Sequence, residues 1–221
     1  MKNIGFRTIT SSILINYNSD ETDITYQLEK ISNQINIIEK KYNKIKTLRI
    51  SIIFNENISI SSLPGLINKL LFIKEASKKI SIRWISLRIN SDQFENIENI
   101  PEIIRTIILK ISNIFIHLVV SKNIKSIFEY YAKTIIEISR LSHNGFENFR
   151  LGISNGKTRN TPFFPFANFN TELSYSIGLE TLKDLIDECY KNTELSSSNK
   201  LLNYYQKLEY TLKDINHFLI N

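Results

Sequence analysis

The chain of 221 residues is poor in several residue types at once: one Cys, one Met, one Trp, four Pro and six Gly. A single cysteine, Cys189, excludes a disulfide framework and any cysteine-built zinc site within one chain, and it suits a reducing compartment. In DLIDECYKN it reads as an ordinary buried helix cysteine. Few glycines leave no phosphate-cradling loop: there is no P-loop and no GxGxxG after the first strand, and HExxH and GxSxG are missing too. The common cofactor enzymes drop out, and the residues name no cofactor. No stretch reaches the roughly 18 apolar residues of a membrane span, and the opening MKNIGFRTIT lacks a signal-peptide core. A cytoplasmic protein without a membrane partner is the expectation. Ala and Val are nearly absent while Ile, Asn, Lys and Ser crowd the sequence, a bias that an AT-rich genome explains without reference to function.

What is present belongs to a globular chain. Hydrophobic residues make up 42%, aromatics 11% and charged residues 23%, enough to bury a core and too balanced for disorder. The length fits one domain. Lys and Arg number 28 against 22 Asp and Glu, a formal charge of +6. The basic residues are dispersed among acidic ones and carry no interleaved stacking aromatics, so nucleic acid is not an expected partner.

Residues 3–15 are rich in β-branched types and read as a strand, followed by turn chemistry at Asn16 to Asp20. From Glu21 to about Tyr42 the positions Ile24, Leu28, Ile31, Ile35 and Ile38 recur at helical spacing, with Asp20 as N-cap. Strands are expected at Ile45–Phe54, Ile80–Ile89, Ile114–Val120 and Phe149–Ile153. Helices are expected after Leu63-Pro64, from Pro101, at Lys125–Leu141, at about Glu172–Lys191 and at Ser198–Ile220. Strands alternating with helices predict an α/β fold of about five mainly parallel strands built from βα repeats, closed by a C-terminal helical pair. The domain reading is 1–171 for the repeats, including a 154–171 loop, and 172–221 for helices packed on them. That loop, rich in Phe and lacking any period, is long enough to suggest function.

His117, His143 and His217 fall in a strand, a loop and the last helix with no ligand spacing, so no metal site is expected. His117 reads as a core or strand-end histidine, and His143 stands in a loop where chemistry is often carried. Arginines inside strands are more informative, because a guanidinium on a half-buried strand must be paired or must meet an anion. Arg7, Arg83, Arg88 and Arg150 are of this kind. Either edge ion pairs or a polar interior holding a carboxylate or phosphate would satisfy them.

Arg7-Thr8-Ile9-Thr10, Asn148-Phe149-Arg150, Thr161-Pro162-Phe163-Phe164-Pro165 and Ser176-Ile177-Gly178-Leu179-Glu180 form a series that resembles the PFL family, bacterial and archaeal proteins named for their likeness to pyruvate formate-lyase. The resemblance implies the N-terminal half of a ten-stranded α/β barrel. It does not extend to glycyl-radical chemistry, which needs a C-terminal glycine loop and a cysteine inside the barrel, whereas Cys189 reads as helical. Members of that family are about twice as long, so a second copy, or a separate half-barrel subunit, is the expected partner.

The expected function is binding of a small anionic metabolite at the C-terminal side of the strands, with or without catalysis. Arg7 and Arg150 would pair with the anion, Thr161 and Asn168 would orient it, Phe163 and Phe164 would exclude water, and His143 would be the catalytic proton carrier. The alternative is a non-catalytic half-barrel subunit of an oligomer whose PFFPF loop is an interaction surface, with RNA contact ranked below both.

Overall fold

A computed structural model of the protein describes residues 5–42, 45–120, 127–155, 163–167, 169, 173–180 and 197–220. In chain order the elements are β1 (Gly5–Ile15), α1 (Glu21–Lys41), β2 (Thr47–Phe54), α2 (Leu63–Lys79), β3 (Ile82–Asn90), α3 (Ile100–Lys110), β4 (Ile114–Val120), α4 (Ile127–Ser139), β5 (Leu151–Asn155), β6 (Tyr175–Glu180) and α5 (Ser197–Ile220). Short 3₁₀ segments lie at Ser91–Gln93, Ile97–Asn99 and His143–Arg150.

Local chemistry explains most of these boundaries. Asp20 caps α1, its Oδ1 accepting the Asp23 amide at 2.8 Å, with acidic residues in the first turn and lysines in the last. Prolines stand in the first turns of α2 and α3, where a missing N–H costs nothing. The helical stripe Ile24, Leu28, Ile31, Ile35 and Ile38 is buried, as its spacing predicts.

The strands form one sheet in the order β5-β4-β3-β2-β1-β6. Strands β2 to β5 pair in parallel, each beside its predecessor. The fold is therefore α/β with the sequential winding of half an α/β barrel. Right-handed crossovers that always advance in the same direction place their helices on one face of the sheet. Register rows alternate accordingly. One set, Ile50-Ile85-Ile114 and Ile52-Leu87-Ile116, is apolar and fully buried. The register slips between Leu48 and Arg49, leaving Arg83 as an extra residue in β3, so that Ile82 and Ile85 both stay buried.

Two sequence expectations change. The helix expected at about 172–191 begins instead as a strand, β6, and the sheet has a sixth member; 181–191, with Cys189, lies outside the described residues. Ser12 meets Ser174, its amide donating to the Ser174 carbonyl at 2.9 Å, and Thr8 meets Gly178; this pairing runs antiparallel. Gly178 explains the strand, because a Cβ there would overlap Thr8 Oγ1. The second change is at 143–150, a 3₁₀ segment with Asn144 and Gly145 at positive φ, so β5 starts at Leu151 rather than Phe149.

The chain divides into two compact units, one of residues 1–9, 29–47 and 177–221, the other of 10–28 and 48–176. In the first, the Phe6 and Tyr42 rings meet edge to face at 5.5 Å, the Tyr42 hydroxyl donates to Asp214, and Lys41 Nζ lies 2.6 Å from that carboxylate. Burial, with the bond to Asp214, pushes the Tyr42 hydroxyl well above its usual pKa. The second unit holds β2 to β5 and the candidate site. Among the described residues no helix is long and apolar enough to cross a membrane.

Candidate functional site

The register rows between the apolar ones are polar. Ser51-Ser86-Phe115, Ile53-Arg88-His117-Gly152 and Asn90-Val119-Ser154 share the face turned away from the apolar rows, because paired residues of parallel strands point the same way. Arg49, paired with Trp84, begins this face. Two arginines, Arg49 and Arg88, stand on this face, and strands β2 to β5 contain neither Asp nor Glu. A sheet face so composed is electropositive and has no carboxylate of its own strands to neutralise it.

The aromatic segment 163–167 and Phe169 lie across this face. The Ser86 hydroxyl donates to the Pro165 carbonyl at 3.4 Å and that of Ser51 to the Ala167 carbonyl at 3.5 Å, both long bonds. Phe164 stands edge-on to Phe115 at 5.2 Å and takes the Arg49 guanidinium over its ring at 5.1 Å. Phe166 stands edge-on to His117 at 5.3 Å. Gly152 admits the segment, since a Cβ there would come within 2.8 Å of Pro165 and Phe166.

Beside this cover a recess is lined by Ser51, Ile53, Asn55, Arg88, Asn90 and Phe169. Its volume of ≈ 10 Å³ admits about one water, so a metabolite enters only if the cover shifts. Burial lowers the pKa of the Arg88 guanidinium, with Asp92 opposing. Burial, with the neighbouring charge of Arg88, pushes the His117 imidazole down to about 4, so the ring is neutral at pH 7. Its Nε2 lies 2.7 Å from Ser154 Oγ. The recess sits toward the C-terminal ends of β2 and β3, where open α/β sheets bind ligands.

The structure separates the residues expected to form the site. Arg7 is exposed. Arg150 is committed elsewhere: Nε donates to the Ile114 carbonyl at 2.9 Å, Nη2 to the carbonyls of Ile108 and Ile111, and Nη1 meets Glu147 Oε2 at 2.5 Å. It ties the end of α3 to the start of β4, at the opposite end of the strands. His143 is exposed and opens the 3₁₀ segment between α4 and β5 that ends at Arg150. Phe163 is exposed, Phe164 packs on the polar face, and Thr161 and Asn168 lie outside the described residues. Arg88 is among the strand arginines for which the sequence predicts an ion pair or an anion, and His117 is predicted as a core or strand-end histidine; Ser51, Asn90 and Ser154 carry no such expectation. The period-two series Ser86, Arg88, Asn90 between Ile85, Leu87 and Ile89 was the available signal.

The fold and site define an α/β protein of sequentially wound parallel strands with one apolar and one electropositive sheet face. No protein-family model matches the chain, nor does any curated protein or solved structure. The PFL-family resemblance rests on its motifs alone. Among the described residues no group of His, Cys, Asp and Glu is placed to hold a metal ion.

Proposed function

We propose that the chain binds a small anionic metabolite on the polar face of its parallel sheet, under the aromatic segment. The observation that carries this reading is the charge of the face: Arg49 and Arg88 stand on it, β2 to β5 contain no carboxylate, and Arg88 is half-buried beside Ser51 and Asn90 at a recess. A guanidinium in such surroundings gains most from a carboxylate or phosphate oxygen. The role first given to Arg7 and Arg150 passes to Arg88. A ligand that binds the folded state alone raises its melting temperature by mass action. Millimolar acetate or inorganic phosphate therefore raises the Tm of the wild type and of Arg7→Ala, and leaves that of Arg88→Ala unchanged. An undiminished shift in Arg88→Ala would refute the site.

A second reading, a half-barrel subunit in an oligomer as the PFL resemblance implies, draws on a different surface. β5 stands at one edge of the sheet, and the segment before it exposes Phe146 and Phe149 with rings 5.5 Å apart. The neighbouring α4 exposes Phe128, Ile135 and Ile136. Contiguous exposed apolar side chains mark interfaces. Light scattering that gives a clean monomer at micromolar concentration would remove this reading.

A further inference from the structure

On the sheet face that carries the proposed anion site, one strand over from the recess, one atom lacks what its surroundings require. His117 is fully buried, and its Nε2 is satisfied by Ser154, but Nδ1 is shielded from solvent with no hydrogen-bond partner among the described residues. Leaving a buried polar atom unpaired forfeits its hydration with nothing in return, and such atoms are few in folded proteins. This one stands on the polar face, in register with Arg88 on the adjacent strand, about 4.8 Å away at the backbone. The ring is uncharged at neutral pH because burial and Arg88 both oppose its protonation. It therefore offers a hydrogen bond without adding charge.

Two constraints narrow the ligand. The first is charge. Arg49 is turned onto the Phe164 ring, His117 is neutral, and Arg88 is the guanidinium at the recess, so the site matches a monoanion better than a phosphate dianion. The second is the direction of the hydrogen bond at Nδ1. If the Ser154 hydroxyl donates to Nε2, Nδ1 carries the proton and donates; if Nε2–H donates to Ser154, Nδ1 accepts. A hydroxyl can serve either tautomer, since it both donates and accepts.

Building on the anion-binding reading, we infer that the site selects a small hydroxycarboxylate, its carboxylate on Arg88 and its hydroxyl on His117 Nδ1, with Ser154 orienting the ring. Phe166, edge-on to His117, shields this contact from water and moves aside for entry.

Titration calorimetry with acetate, glycolate and inorganic phosphate tests it on the intact chain. Glycolate binds the wild type roughly 3- to 10-fold more tightly than acetate, the worth of one hydrogen bond, and phosphate binds no better than acetate. His117→Leu abolishes the glycolate advantage while acetate affinity stays. His117→Asn, which keeps a polar atom near the Nδ1 position, restores part of the advantage. Should neither variant fold, the ¹⁵N imidazole spectrum of the wild type gives the same decision: the Nδ1 resonance shifts with glycolate and not with acetate. Equal affinity for acetate and glycolate, or a stronger phosphate complex, overturns the hydroxycarboxylate assignment while leaving the anion site standing. Failure of all three probes to bind, or full binding in Arg88→Ala, brings down the anion reading and the assignment with it.

Discussion

The two faces of strands β2 to β5 are made by the same residues in alternation, yet they are built on different principles. One face is a continuous layer of Ile and Leu, fully buried, whose energy comes from removing apolar area from water. The other carries Ser, Arg, Asn and His under a single aromatic segment, joined by two long hydroxyl–carbonyl bonds, ring contacts and a glycine that lets it approach. Sequential winding is the cause of the difference. With the crossover helices on one side, the other side is released from the demand for apolar packing and is free to hold polar groups. Stability belongs to one face and recognition to the other.

Truncation on the helix-covered face should have the largest effect. Ile116→Ala leaves a cavity in the buried layer and lowers stability by about 2–5 kcal/mol, read as a shift in the urea midpoint. The second effect is pH-dependent and comes from the polar face. A free imidazole titrates near 6.5 and that of His117 near 4, so the unfolded state binds the extra proton between these values. This contribution to stability is complete above pH 6.5 and is lost as pH falls through 4, on the order of 3 kcal/mol in all. Urea midpoints at pH 7 and pH 4.5 check it against His117→Gln, in which this part of the loss disappears; an equal loss in both proteins refutes the assignment. Third is Gly152→Ala, whose new methyl meets Pro165 and Phe166 and costs about 1–3 kcal/mol. Increased proteolysis within 163–167 would show that the segment has lifted. Smallest is Ser86→Ala, at about 1 kcal/mol or less, because its bond to the Pro165 carbonyl is long. If Ser86→Ala cost as much as Ile116→Ala, the distinction between the faces would be broken.

Much of the fold was legible in the sequence because apolar period and turn residues act locally. Ile24 to Ile38 marked one helix face, Asp20 its cap, and the apolar run IFIHLVV a strand, and each stands where its pattern predicts. The site was less legible because it depends on register, which no single segment contains. Arg88 and His117 become neighbours through the pairing of β3 with β4, and the extra residue at Arg83 shifts the parity by which strand arginines would be sorted to faces. Arg150 looked like a ligand residue because nothing in NFRLGIS shows that three backbone carbonyls would engage it. β6 was hidden by its brevity and by the helical period of the residues after it; its strand character comes from Gly178 fitting against Thr8.

The pairing of Ser12 with Ser174 has a consequence in time. The two residues are 162 positions apart, so the outer side of β1 waits for its partner while nearly the whole chain is made. At about 5–20 residues per second that interval is roughly 8 to 30 s. Throughout it, β1 offers a nascent chain's unpaired amides and carbonyls to any other strand within reach, a hazard for aggregation. Four of the five residues from Thr8 to Ser12 are serine or threonine, Ile9 being the exception, and they make that exposed ribbon less adhesive than the Ile- and Leu-rich later strands until β6 arrives to close it.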